Sequence, residues 1–107
     1  MTKHEATLIY RRMLRCIEKK RFCVQFKTDP TMYGKMDWGT PDKMIINPRV
    51  STPIARTVLH ECLHLLNDEM PECEVIVKEK KLFEAMSDRQ LEGLLKKVFA
   101  YDLDMTT

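Results

Sequence analysis

The chain has 107 residues, 44% of them hydrophobic and 32% charged, with a formal net charge of +2. That length accommodates one domain, residues 1–107, and the mix is that of a globular chain rather than a disordered one. The mild charge gives no reason to expect a nucleic-acid partner, and no apolar stretch approaches the roughly 20 residues of a membrane-spanning helix. The N-terminal MTKHEATLIYRR lacks the apolar run of a secretory signal, so a cytoplasmic location is expected. The four cysteines, Cys16, Cys23, Cys62 and Cys73, have spacings that match no zinc finger. In a reducing compartment they are expected to be free thiols, mostly buried as small hydrophobes. Eight methionines suggest an adaptable core or an apolar groove.

Residues 4–20 read as the first helix. Ala6, Ile9, Met13 and Ile17 recur at helical spacing, flanked by Leu8 and Leu14. Arg11, Arg12, Arg15, Glu18, Lys19 and Lys20 form its solvated face. Residues 21–27 alternate, with Phe22, Val24 and Phe26 on one face of a strand and Cys23 and Gln25 on the other. Thr28-Asp29-Pro30 ends it. Two short extended pieces follow, 33–38 and 43–47, separated by the turn Gly39-Thr40-Pro41-Asp42. Met44, Ile45 and Ile46 are an apolar run of the kind found in a buried strand.

Ser51-Thr52-Pro53 is a start signal for a helix over 53–67, with a hydroxyl cap followed by proline in the first turn. Ile54, Val58, Leu59, Cys62, Leu63, Leu65 and Leu66 make this helix apolar nearly all round, so it is expected to be buried. A third helix spans 72–86, with Glu72 and Glu74 in its first turn and an apolar face of Val75, Ile76, Leu82, Phe83 and Met86. Ser87-Asp88 breaks the chain and caps a last helix over 88–101, through Leu91, Leu94, Leu95 and Val98, and residues 102–107 are a polar tail. Helix, three strands, then three helices is an α+β order.

Inside the buried helix, His60-Glu61-Cys62-Leu63-His64 fits H-E-x-x-H. Residues four apart stack on one helical face, so both imidazoles aim at one point and can hold Zn²⁺. Glu61, one step round the helix, is placed to act as general base on a water at the metal. A catalytic zinc wants three protein ligands and one open position. No third histidine follows His64, and His4 lies in a terminal segment expected to be mobile. A chain reversal over 68–71 would return the next helix beside His64. Glu72 and Glu79 lie seven residues apart on that helix's apolar face. Glu72, nearest the reversal, is the chosen third ligand, and its other reading is a helix-start carboxylate. Glu79 is the alternative ligand, and its other reading is an exposed partner for a lysine.

His60, Glu61 and His64, with a glutamate on the next helix, resemble the gluzincin clan of zinc metallopeptidases. The length is similar to that of its most compact members, the minigluzincins, and the likeness covers about residues 33–86. It implies a small zincin-like domain: an N-terminal helix, a three-stranded sheet and an active-site helix followed by two more. It implies zinc held by His60, His64 and a glutamate, with Glu61 as base in hydrolysis of a peptide or protein substrate. It also implies that the 43–47 segment is an edge strand along which substrate lies extended. Tyr33 is a candidate for the family's oxyanion helper. Other readings stand beside this one. A fourth ligand, Cys73 or His4, would close the metal and leave a non-catalytic binding domain. A metal-free helical interaction module would use a methionine-rich groove. A latent enzyme would have residues 102–107 or the N-terminus over its cleft.

Overall fold

A computed structural model of the chain describes residues 1–19, 22–26, 34–38, 42–47 and 54–100. The expected turns at 28–30 and 39–41, the start signal Ser51-Thr52-Pro53, Tyr33 and the tail at 102–107 lie outside the described residues. The elements run α1 (Lys3–Lys19), β1 (Phe22–Phe26), β2 (Gly34–Asp37), β3 (Asp42–Ile46), α2 (Ile54–Leu66), α3 (Glu72–Ala85) and α4 (Asp88–Phe99). The fold is a small α+β arrangement, as the element order predicts. Among the described residues, no helix is long and apolar enough to cross a membrane.

The sheet order is β1-β3-β2, with β1 parallel and β2 antiparallel to β3. The apolar run Met44-Ile45-Ile46 is buried throughout, which suits a strand with neighbours on both sides. This overturns the edge position expected for 43–47: β3 is the central strand. The edge beside α2 belongs to β2, whose exposed Lys35 and Asp37 suit a strand with one side unpaired.

Helix α2 packs against α1, α3, α4, β2 and β3, which accounts for its apolar surface on nearly every side. Its Val58, Leu59, Cys62, Leu63 and Leu65 meet Ala6, Met13 and Ile17 of α1, and Leu94 and Val98 of α4, in one core. From α3 the inward positions are Val75, Glu79 and Leu82, followed by Met86. Ile76, expected on the apolar face, is 52% exposed, because the inward stripe at 75, 79, 82 and 86 leaves it off the contact side. Phe26 is 39% exposed, and its ring leans on Phe99 with centroids 5.5 Å apart. His4 is in the first turn of α1 rather than in a loose terminus. Of the described cysteines, Cys62 is buried, Cys16 partly buried and Cys73 exposed, and all three are free. Burial pushes the Cys62 thiol well above its ordinary range, so it stays protonated and inert.

Two local devices aim α3 and α4. After α2, the Glu69 amide donates to the Asn67 side chain at 3.1 Å and the Met70 amide to the Asn67 carbonyl at 3.2 Å. That Asn-anchored turn is the reversal expected at 68–71. Before α4, Ser87 and Gln90 form a reciprocal capping box, which ends α3 and starts α4 within two residues.

Gly34 is where β2 meets α2. A Cβ there would lie 2.9 Å from the Ile45 carbonyl oxygen, 2.9 Å from Thr57 Cγ2 and 3.3 Å from Glu61 Oε2. The obstruction includes backbone, so a side chain must push β2 away from the helix. Gly34→Ala is expected to lower stability by about 1–3 kcal/mol, the usual range for overpacking. Urea denaturation of the variant beside wild type measures this, and an unchanged midpoint would refute the tight fit.

Candidate metal centre

The four-residue spacing sets His60 and His64 side by side on α2, with ring centroids 5.0 Å apart. The Asn67 turn then brings the first residue of α3 over them. Glu72 Oε1 lies 2.6 Å from His60 Nε2, and Glu72 Oε2 lies 2.9 Å from His64 Nε2. One carboxylate thus spans two imidazoles. His60, His64 and Glu72 each offer one ligand atom, and these atoms lie within 4.8 Å of one another. Two nitrogens and a carboxylate oxygen so gathered could hold a metal ion.

The structure brings Glu72 to the histidine pair, and it gives Glu79 a different task. Glu79 Oε1 sits 3.2 Å from His60 Nδ1, on the far side of the ring from Glu72. Its Oε2 accepts from Arg56 Nε at 2.9 Å and from Arg56 Nη2. Glu79 is only 8% exposed, so the reading of an exposed lysine partner is wrong: its partners are Arg56 and His60. The physical reason is its place on the inward stripe of α3. A carboxylate there must be neutralised, and Arg56, one turn before His60, supplies the charge. The Arg56 guanidinium also lies over the Phe83 ring, 5.6 Å from its centroid. A carboxylate facing Nδ1 favours the His60 tautomer with its proton there, leaving Nε2 as the ligand atom.

Glu61 is 3% exposed. Burial pushes its carboxyl up to about 7; the nearby His60 opposes the shift, and the charges of Glu72 and Glu79 add to it. A cation held by the histidines would add a positive charge and pull the value back down. The group opens onto a cleft of about 310 Å³. His60, Glu61, His64, Asp68 and Glu72 line one side, and Gly34, Lys35, Met36 and Trp38 of the β2 segment line the other.

Neither proposed fourth ligand joins the group among the described residues. Cys73 follows Glu72 in sequence, yet it lines a separate groove with Met1, Glu5 and Val77. His4 is likewise outside the group. Sequence reasoning did not find Arg56, Gly34 or Thr57. Arg56 had a visible signal, being an arginine four residues before His60 on an otherwise apolar helix. Gly34 had none, because its role depends on how closely β2 approaches α2. No family model, curated protein or solved structure matches the chain.

Zinc titration against a competing chelator tests the two glutamates separately. Glu72→Ala removes a ligand atom and should lose tight binding. Glu79→Gln keeps all three ligand atoms and should weaken binding by about 10–100-fold, the usual effect of removing a ligand-orienting partner. Glu74→Gln, outside the group, should bind as wild type. Equal affinity for Glu79→Gln and wild type would show that Glu79 does not orient His60.

Proposed function

We propose that the protein is a zinc metallopeptidase with a zincin-like fold, acting on an extended peptide or protein substrate. One observation carries this reading. A buried glutamate adjoins the His60, His64 and Glu72 ligand group in a cleft whose opposite side is the edge strand of a sheet. Two histidines and a glutamate are a donor set that leaves zinc an open position for chemistry. Zinc held there would polarise the scissile carbonyl and acidify the attacking water. Glu61 accepts the proton of that water and returns it to the leaving nitrogen. Glu79, braced by Arg56, keeps His60 turned toward the ligand point.

The substrate lies along β2. Its partner β3 occupies one side, from Gly34↔Ile46 to Asp37↔Lys43, and among the described residues no strand pairs with the other side, where an added chain could. An extended peptide would continue the sheet through main-chain hydrogen bonds, which bind peptides with little regard to sequence. The edge role that the family resemblance assigned to 43–47 thus moves to 34–37. Free thiols at Cys16, Cys62 and Cys73 fit a reducing compartment such as the cytoplasm.

Glu61→Gln separates binding from chemistry. It should retain one zinc per chain by elemental mass spectrometry and lose about 10²–10⁴-fold in peptide turnover, the usual contribution of a general base. His64→Ala should lose zinc and turnover together. If Glu61→Gln cleaves peptides as fast as wild type, the assignment of Glu61 as base is wrong.

A further inference from the structure

Thr57 sits one helical turn before Glu61 on α2. It is 3% exposed, and its hydroxyl oxygen has no hydrogen-bond partner. A buried hydroxyl left unpaired is costly, and a valine would fill the same shape without that cost. Glu61 is equally buried. One turn of helix thus holds an unpartnered hydroxyl and a buried carboxylate.

Both side chains border the same small space. The point where a Cβ on Gly34 would lie is 2.9 Å from the Thr57 methyl carbon and 3.3 Å from Glu61 Oε2. The Thr57 methyl and a Glu61 carboxylate oxygen therefore both border the Gly34 backbone. Threonine in a helix divides between two χ1 rotamers, so its hydroxyl has a second low-energy position. Gly34 keeps that space clear, because it has no side chain to fill it.

We propose that Thr57 is a positioning residue for Glu61: its hydroxyl turns toward Gly34 and donates to the Glu61 carboxylate, aiming it at the attacking water. This rests on the metallopeptidase reading and deepens it. The bond holds one carboxylate oxygen and leaves the other for the water. A charge-assisted bond of this kind also keeps the base in one rotamer between accepting and returning a proton.

The test compares zinc-loaded wild type, Thr57→Val and Thr57→Ser. Thr57→Val should keep one zinc per chain and the wild-type KM. Its kcat should fall about tenfold, the loss expected when one hydrogen bond to a charged group is removed. Thr57→Ser should recover most of the lost kcat, because it restores the hydroxyl and not the methyl. A Thr57→Val kcat equal to wild type overturns the proposal, as does a Thr57→Ser variant no faster than Thr57→Val. A crystal structure of the zinc-loaded protein decides independently of turnover. The Thr57 hydroxyl within about 3.2 Å of a Glu61 oxygen supports the bond, and a hydroxyl farther away removes it. If wild type cleaves no peptide, the metallopeptidase reading fails by itself, and the crystallographic distance still decides whether Thr57 holds Glu61.

Discussion

Everything around the cleft follows from the cost of placing Arg56, His60, Glu61 and His64 on a helix that the fold buries. Helix α2 packs against five other elements, so few directions remain in which water could solvate those groups. They must find partners in the protein or lose the energy of hydration. Helix α3 supplies most of them. Glu72 and Glu79 are seven residues apart, about two turns or 10 Å, and they meet opposite nitrogens of the same imidazole. Glu72 continues to His64 and Glu79 continues to Arg56. Four α2 and α3 side chains are thereby joined through His60. The register between the helices is set by polar pairing as much as by Val75 and Leu82 packing beneath it.

The sheet contributes differently. Among the described residues it offers no ligand atom to the group. Its part is proximity, and proximity depends on Gly34. Because that residue lacks a side chain, β2 comes against Thr57 and Glu61, and the cleft gains a wall made by the outermost described strand. The parallel pairing of β1 with β3 keeps β3 in the middle and leaves β2 outermost on the cleft side. A swap of β2 and β3 would have put the apolar run Met44-Ile45-Ile46 at the edge, which invites aggregation.

Element types were legible because their signals are local. The 3.6-residue spacing in α1, the all-round apolar surface of α2 and the break and cap at Ser87-Asp88 all depend on neighbours in sequence. The histidine pair was legible for the same reason, since its spacing is one turn of helix. Glu72 could be reached only by assuming a reversal, and Asn67 provides one. Strand order was not legible, because three short strands carry no local sign of which lies between the others. Glu79 was placed on the correct face, but its role turned on Arg56, which lies 23 residues away in sequence. Roles that depend on long-range partners or on backbone approach, as for Arg56, Gly34 and Thr57, need coordinates.

The site also bears on the stability of so small a domain. Glu61, Glu72 and Glu79 bring three carboxylates to one locality, and the raised pKa of Glu61 reflects its burial and, after that, the charges of the other two. Arg56 neutralises one of them at its outer side. A bound divalent cation would offset the remaining charge at the point where Glu72 and the histidines converge. Any ligand that binds the folded chain and not the unfolded one adds to stability in proportion to the logarithm of its occupancy ratio. The carboxylates gathered at the cleft therefore weaken the metal-free fold, and α3 is the element most exposed to that weakness. Its first residue belongs to the group that could hold a metal ion, and its middle is tied to His60 and Arg56. Metal binding should tighten the α2–α3 pairing before it affects the α1–α4 side of the core, where packing is apolar and the polar ties are Lys97 to Glu18 and Gln90 to Thr7.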